Sequence, residues 1–223
     1  MNKLFNEKKS RYKNLLLILL PFMIIAGVLA YFSYKSATNI IDTDGSISTP
    51  SNIIEKYNYT LRSNATDLQK ELFEELKEDF KNEEETDKLK IAEDIAKNYI
   101  ADMYTWTNKQ GRFDVGGMCY INGYYKYNNW MQATNGFYRY VSKYIEEYGA
   151  EDLIEVESIE IVDSYKDSEK YTIGDNSNFE KFHVDAKWEY KETVRFDTSK
   201  FAKKLHFTLV RDESGNYNIV ESY

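Results

Sequence analysis

The feature that most constrains this chain is a run without a single charge. From Asn14 to Tyr34 the sequence reads NLLLILLPFMIIAGVLAYFSY. As a helix rising 1.5 Å per residue it covers about 30 Å, the thickness of a bilayer's hydrocarbon core. Pro21 and Gly27 are tolerable inside a membrane helix, and Tyr31, Phe32 and Tyr34 fall where aromatic side chains suit the interface. The expectation is a transmembrane helix over residues 14–34. Lys8, Lys9, Arg11 and Lys13 precede it and only Lys35 directly follows, so the positive-inside bias sets its direction. That makes residues 1–13 a basic cytoplasmic tail of a single-pass cell-membrane protein, with the rest of the chain extracellular. A cleaved signal peptide ending near Val28-Leu29-Ala30 is the rival reading. Against it stand the length of the apolar run and the bulky Tyr31 and Phe32 that follow.

The formal net charge of −8 conceals an asymmetry. Up to Lys35 the chain is about +5, and the remainder carries 23 basic against 36 acidic residues, about −13. A domain this acidic repels nucleic-acid phosphates, so direct nucleic acid binding is not expected. Cys119 is the only cysteine, which rules out an intramolecular disulfide and leaves the hydrophobic core to hold the fold. Aromatics make up 16% of the chain, including 20 tyrosines, enough for a core edged by amphipathic rings.

Beyond the span, residues 35–51 are small, polar and turn-rich, and read as a linker. Residues 52–86 read as a helical stalk or first helix: Leu68, Leu72, Phe73, Leu76 and Phe80 recur at helical spacing, with Thr66 or Asp67 as cap. Residues 87–223 read as the main domain. A second helix carries the stripe Leu89, Ala92, Ala96, Tyr99, Met103 and Trp106. Residues 111–133 read as irregular chain with short helical turns. A third helix is expected from about Asn135 to Tyr148, with Phe137, Val141, Tyr144 and Tyr148 inward and Gly149 as its C-cap. The rest reads as strand. Leu153 to Tyr165 alternates with a phase slip near Ser158. From Phe179 to Thr193, Phe182, Val184, Ala186, Trp188 and Tyr190 point one way and Lys181, His183, Asp185, Lys187, Glu189 and Lys191 the other. Lys203 to Arg211, a turn at residues 212–216 and Tyr217 to Tyr223 form a closing hairpin. Helices followed by long antiparallel strands predict an α+β domain with helices on one sheet face.

The closing FTLVRDESGNYNIVESY, Phe207 to Tyr223, resembles the last hairpin of the nuclear transport factor two-like superfamily: a strand, an acidic-Gly turn, an aromatic residue (Tyr217) and a hydrophobic strand (Ile219, Val220). The preceding strand with Trp188 fits that pattern. The resemblance covers roughly residues 87–223 and implies a cone-shaped domain of about three helices packed on a curved antiparallel sheet. Such a domain on a membrane anchor is similar in layout to the bitopic assembly subunit of type IV secretion and conjugation systems. That implies a cell-envelope scaffold.

Some members of the superfamily are enzymes that place Asp, His or Tyr inside the cone, which makes His183 and Asp185 the first pair to test. Alternation puts both on the polar face with Lys181 and Lys187, so a solvated strand face is the expectation, and His206 reads likewise as surface or rim. Two histidines on separate strands do not spell a zinc site, and Cys119 lacks a partner at ligand spacing. Asp114, in QGRFDVGG beside Arg112, reads as a turn acid with a neighbouring counter-charge. The glycines match no phosphate loop and no nucleophile elbow. The expectation is therefore a non-enzymatic protein with no cofactor and no metal. The most unusual composition is the Tyr/Trp-rich stretch from Tyr120 to Tyr148. Tyr and Trp give large contacts with a polar tip, so Tyr124, Tyr125, Tyr127 and Trp130 are the candidate partner- or ligand-binding residues. The leading reading is a membrane-anchored extracytoplasmic scaffold that binds protein partners, with homo-oligomer formation compatible. The alternative is a ligand-binding or enzymatic cone with a Tyr-rich pocket.

Overall fold

The computed structural model describes residues 50–83, 86–192 and 196–223, within a compact unit that spans Asp44–Tyr223. The expected span over residues 14–34 lies outside the described residues; among these, no helix is long and apolar enough to cross a membrane. The architecture is α+β, with four helices among the described residues and a curved antiparallel sheet.

The described chain opens with a hairpin rather than a helix: β1 (Pro50–Ile54) pairs antiparallel with β2 (Tyr59–Arg62). Its turn is closed by Asn58 at φ 56°, a conformation that Asn tolerates. Tyr59, buried, donates its hydroxyl hydrogen to Tyr217 O at 2.5 Å and accepts from Tyr217 N at 3.1 Å. Helix α1 (Asp67–Lys81) starts as its sequence predicts. Thr66 accepts from Gln69 N while the Gln69 side chain returns to Thr66 N, a capping box. Leu72, Phe73 and Leu76 face inward. Helix α2 (Lys88–Met103), capped by Asp87, is buried on most of its surface because α1 covers one side and the sheet the other. Trp106 is buried as expected but lies beyond the end of α2, where its backbone N–H donates to Ile154 O.

Residues 111–133 are not irregular throughout. After a 3₁₀ turn at Met118–Tyr120, Gly123–Asn135 form a 13-residue helix, α3. Gly116 and Gly117 let this segment close on α2. A Cβ on Gly116 would stand 2.1 Å from Asp102 O, and Gly117 holds φ 75° with Tyr99 packed against it. The third expected helix is shorter than its pattern. α3 ends at Asn135, tight turns follow Gly136, and α4 occupies only Val141–Tyr148, closed by Gly149 at φ 85°.

Five strands complete the fold: β3 (Val156–Lys166), β4 (Tyr171–Ile173), β5 (Asn176–Tyr190), β6 (Lys204–Arg211) and β7 (Tyr217–Ser222). The order is β3-β5-β6-β7, all antiparallel, with β4 pairing the start of β5. The slip near Ser158 is present as a register shift between Val156 and Ser158, and a second falls between Ile161 and Asp163. Phe182, Val184, Ala186, Trp188 and Tyr190 are all buried, as the alternation requires. They meet Phe207 and Leu209 of β6, Ile219 of β7 and α2 in one core. Each large side chain so buried stabilises the fold by roughly 1.5–3 kcal/mol.

Candidate functional site

Helix α3 is held by its ends. Asn122 caps it by accepting from Tyr124 N, and Asn122 N donates to Ile219 O on β7. At the other end Arg112 donates to Thr134 O at 2.8 Å and to Asn135 Oδ1 at 2.6 Å, a cation at the negative end of the helix dipole. Between these anchors the four candidate residues divide. Tyr124 and Tyr127 are 69% and 59% exposed and share one helix face with Met131 at spacings of three and four. Trp130 is half-buried, stacked on Phe113 with ring centres 5.9 Å apart. Tyr125 is half-buried and hydrogen-bonds Tyr171, whose hydroxyl donates to Glu221. Tyr124 and Tyr127 therefore form an outward surface, Trp130 braces it through the half-exposed Phe113, and Tyr125 ties it to β4.

This surface differs chemically from the rest of the domain. Of the nine exposed large apolar side chains among the described residues, Phe113, Tyr124, Tyr127, Met131 and Tyr140 come from this one segment. Between Gly111 and Ile145 the charges are Arg112, Lys126, Arg139, Lys143 and a single acid, Asp114. Asp114 is fully buried and contributes nothing to the surface. An aromatic face that is locally basic thus sits on an acidic domain.

Asp114 closes the turn as expected, its N–H donating to Gly111 O at 3.2 Å, but it is fully buried and Arg112 is not its counter-charge. Its partner is Arg62, 52 residues away on β2: Arg62 Nη2 reaches Asp114 Oδ1 at 3.1 Å, and Gln110 N donates to Asp114 Oδ2 at 2.8 Å. Arg62 also donates from Nε to Asp102 Oδ1 at 3.0 Å and from Nη1 to Asn108 O at 2.8 Å. Lys109 Nζ meets the same Asp102 oxygen at 2.9 Å, and Gly117 N donates to Asp102 Oδ2 at 2.7 Å. Burial works to raise Asp102, but Lys109 and Arg62 overcome it and hold its carboxyl well below the usual carboxylate range. Burial pulls the Lys109 ammonium down to about 8 even though Asp102 favours its charge. Two cations and two carboxylates are balanced, and β2, α2 and the 104–117 segment are joined through them. The void beside them, lined by Thr60, Leu61, Arg62, Gln69, Asn98, Asp102 and Tyr120, holds about 10 Å³, room for a single water molecule. This arrangement locks three chain segments together, and the void has no room for a substrate.

The polar face of β5 also departs from expectation. His183 and Asp185 do point away from Trp188, as the phase predicts, but they are not a solvated row. His183, His206, Asp185 and Asp167 are joined edge to edge, with the two histidine side chains only 15% and 22% exposed. Among the described residues, no group of three or more His, Cys, Asp or Glu side chains is placed to hold a metal ion. Cys119 is half-buried with its sulfur 3.9 Å from Thr60 O.

The expected residues Tyr124 and Tyr127 are joined on this helix face by exposed Met131, and Phe113 flanks Trp130, neither of them singled out by the sequence pattern. Spacing of three and four from Tyr124 and Tyr127 to Met131 was the available signal, hidden because the segment did not read as a helix. The chain matches no family model, no curated protein and no solved structure.

Proposed function

We propose that this chain is a membrane-anchored extracytoplasmic scaffold that engages a protein partner through the outer face of α3, its N-terminus in the cytoplasm and its domain outside. The observation that carries this reading is the α3 surface itself. Exposed Tyr124, Tyr127 and Met131 share one face of α3, and exposed Phe113 is joined to that helix through its stack on Trp130, with Arg112 and Lys126 adjacent in sequence. Exposed clusters of this kind mark interaction sites, and Tyr, Trp, Met and Arg are the residues enriched in interface cores. The excess of basic charge favours an acidic partner surface, and self-association remains compatible with the same face. The layout further supports a place in a secretion or conjugation apparatus of the cell envelope. A ligand-binding or enzymatic cone with a Tyr-rich pocket has less support, because Tyr124 and Tyr127 face outward and the void beside Arg62 admits only a water molecule.

Site-specific photocrosslinking in intact cells tests this. A benzophenone side chain at Tyr127 of the full-length chain should give one discrete protein adduct, while the same group at Lys187, exposed on β5, should not. Met131→Glu should abolish the adduct and change stability by no more than about 0.5 kcal/mol, as surface changes do. No adduct at Tyr127, or equal adducts at both positions, refutes the reading.

A further inference from the structure

Two helices of this domain present opposite chemistry to solvent. On α1, Glu71, Glu74, Glu75 and Glu78 are all exposed and recur at spacings of three and four, so they line one face over two turns. Glu74 and Glu78 meet Lys77 and Lys81 of the same helix at 3.5 and 2.7 Å, exposed pairs of the kind that hold little energy. Glu71 and Glu75 form no ion pair among the described residues. None of the other described helices carries four exposed acids on one face.

On α3, Tyr124, Tyr127, Asn128 and Met131 have the same spacing and the same exposure, and none is charged. The surface charges of this segment are all basic. Arg112 grips the end of α3, Lys126 lies on the helix, and exposed Arg139 and Lys143 follow it, Arg139 resting on the Tyr140 ring. From Gly111 to Ile145 four basic residues stand against one acid, a net +3. From Asp67 to Lys81 six acids stand against three lysines, a net −3.

These charges select what α3 can meet. Two α3 faces set together would oppose two basic rims, which is disfavoured. An α3 face set on α1 of another copy pairs opposite charges. It also lets the hydroxyls of Tyr124 and Tyr127 donate to carboxylates and lays the glutamate and lysine stems on the rings.

We propose that the α3 face of one copy docks on the glutamate stripe of α1 in a second copy, a head-to-tail contact between copies of this chain. This rests on the reading of α3 as a docking face and names its partner. The two faces belong to different helices, so each copy in a pair keeps one of them free and the contact repeats. Copies anchored in one membrane share its normal as their axis, and closure about that axis gives a ring.

Disulfide crosslinking in intact cells tests the contact. In full-length chains carrying Cys119→Ser, one tagged copy receives Glu75→Cys and a differently tagged copy Tyr127→Cys. Oxidation should join the two tags, and Tyr127→Cys alone should form no disulfide. Arg139→Glu with Lys143→Glu in the Tyr127→Cys copy should cut the yield about tenfold. Adding Glu71→Lys with Glu74→Lys to the Glu75→Cys copy should then restore it, a rescue that damage to folding could not produce. A missing mixed disulfide, a disulfide from Tyr127→Cys alone, or a charge exchange without rescue overturns the proposal. If the photocrosslinked adduct at Tyr127 is a different protein, the self-contact falls while α3 stands as a docking face; if Tyr127 gives no adduct at all, both fall.

Discussion

Two polar clusters in this domain use similar chemistry under opposite conditions. Around Arg62, two cations and two carboxylates lie beneath the surface, and backbone groups from Gln110, Asn108 and Gly117 complete the hydrogen bonding. Around His183, two carboxylates flank two imidazoles that are only 15% and 22% exposed, with Tyr165 and Tyr223 stacked on the rings. The first cluster is complete and rigid: removing any member leaves a buried charge exposed to low dielectric. The second is only partly covered, so water can take the place of a lost partner.

The contrast can be broken by measurement. Arg62→Ala strands the fully buried Asp114 carboxylate and should cost about 3–5 kcal/mol, read as a drop in the urea midpoint; a loss under 1 kcal/mol would mean the cluster is not the keystone of the 104–117 segment. A smaller effect is expected from pH. The folded-state value of Lys109, about 8, lies below the ordinary 10.5, so between those values the unfolded chain binds the extra proton and stability rises with pH. Chemical denaturation at pH 8 and at pH 9.5 should show that rise. Lys109→Met should flatten it, and an unchanged slope in the variant would assign it elsewhere. The smallest effect belongs to the outer cluster. His183→Gln should change stability by no more than about 1 kcal/mol, because Asp167 keeps Lys181 and the Glu169 backbone N–H as partners and no buried charge is stranded. A loss comparable to that of Arg62→Ala would erase the distinction between the two clusters.

What could be read from the sequence followed from period. The inward set of β5, the slip near Ser158 and the Asp212–Asn216 turn were all legible because strand alternation and turn chemistry are local. α1 was legible from its cap and stripe. α3 was not, for a physical reason. A helix is recognised by contrast between its faces, and here both faces are aromatic: Tyr125 and Trp130 inward, Tyr124 and Tyr127 outward. Asn122-Gly123 also looks like a turn. The property that hid the helix is the property that makes its outer face a candidate for docking. The Arg62–Asp114 pair was invisible because nothing local links residues 52 positions apart. The phase of His183 is readable, but its surroundings are not, since Tyr165 comes from β3, His206 from β6 and Asp167 from a loop.

The clasp between Tyr59 and Tyr217 has a mechanical meaning. Pro50 and Arg62 are partners at the open end of the β1–β2 hairpin, so a pull on the chain ahead of Pro50 meets that pair first. Fully extended, the five residues of β1 span about 17–18 Å at 3.3–3.6 Å per residue, and beyond them lies Tyr59. There the load meets a side chain bonded both ways to β7 and held within stacked rings of Tyr57, Phe80 and Tyr120. The hairpin is no loose flap either: Asn52 is bonded to Glu74 and Lys77 of α1, and Ile54 and Tyr57 are buried in the same core, so a load on β1 is shared with α1 before it reaches the sheet.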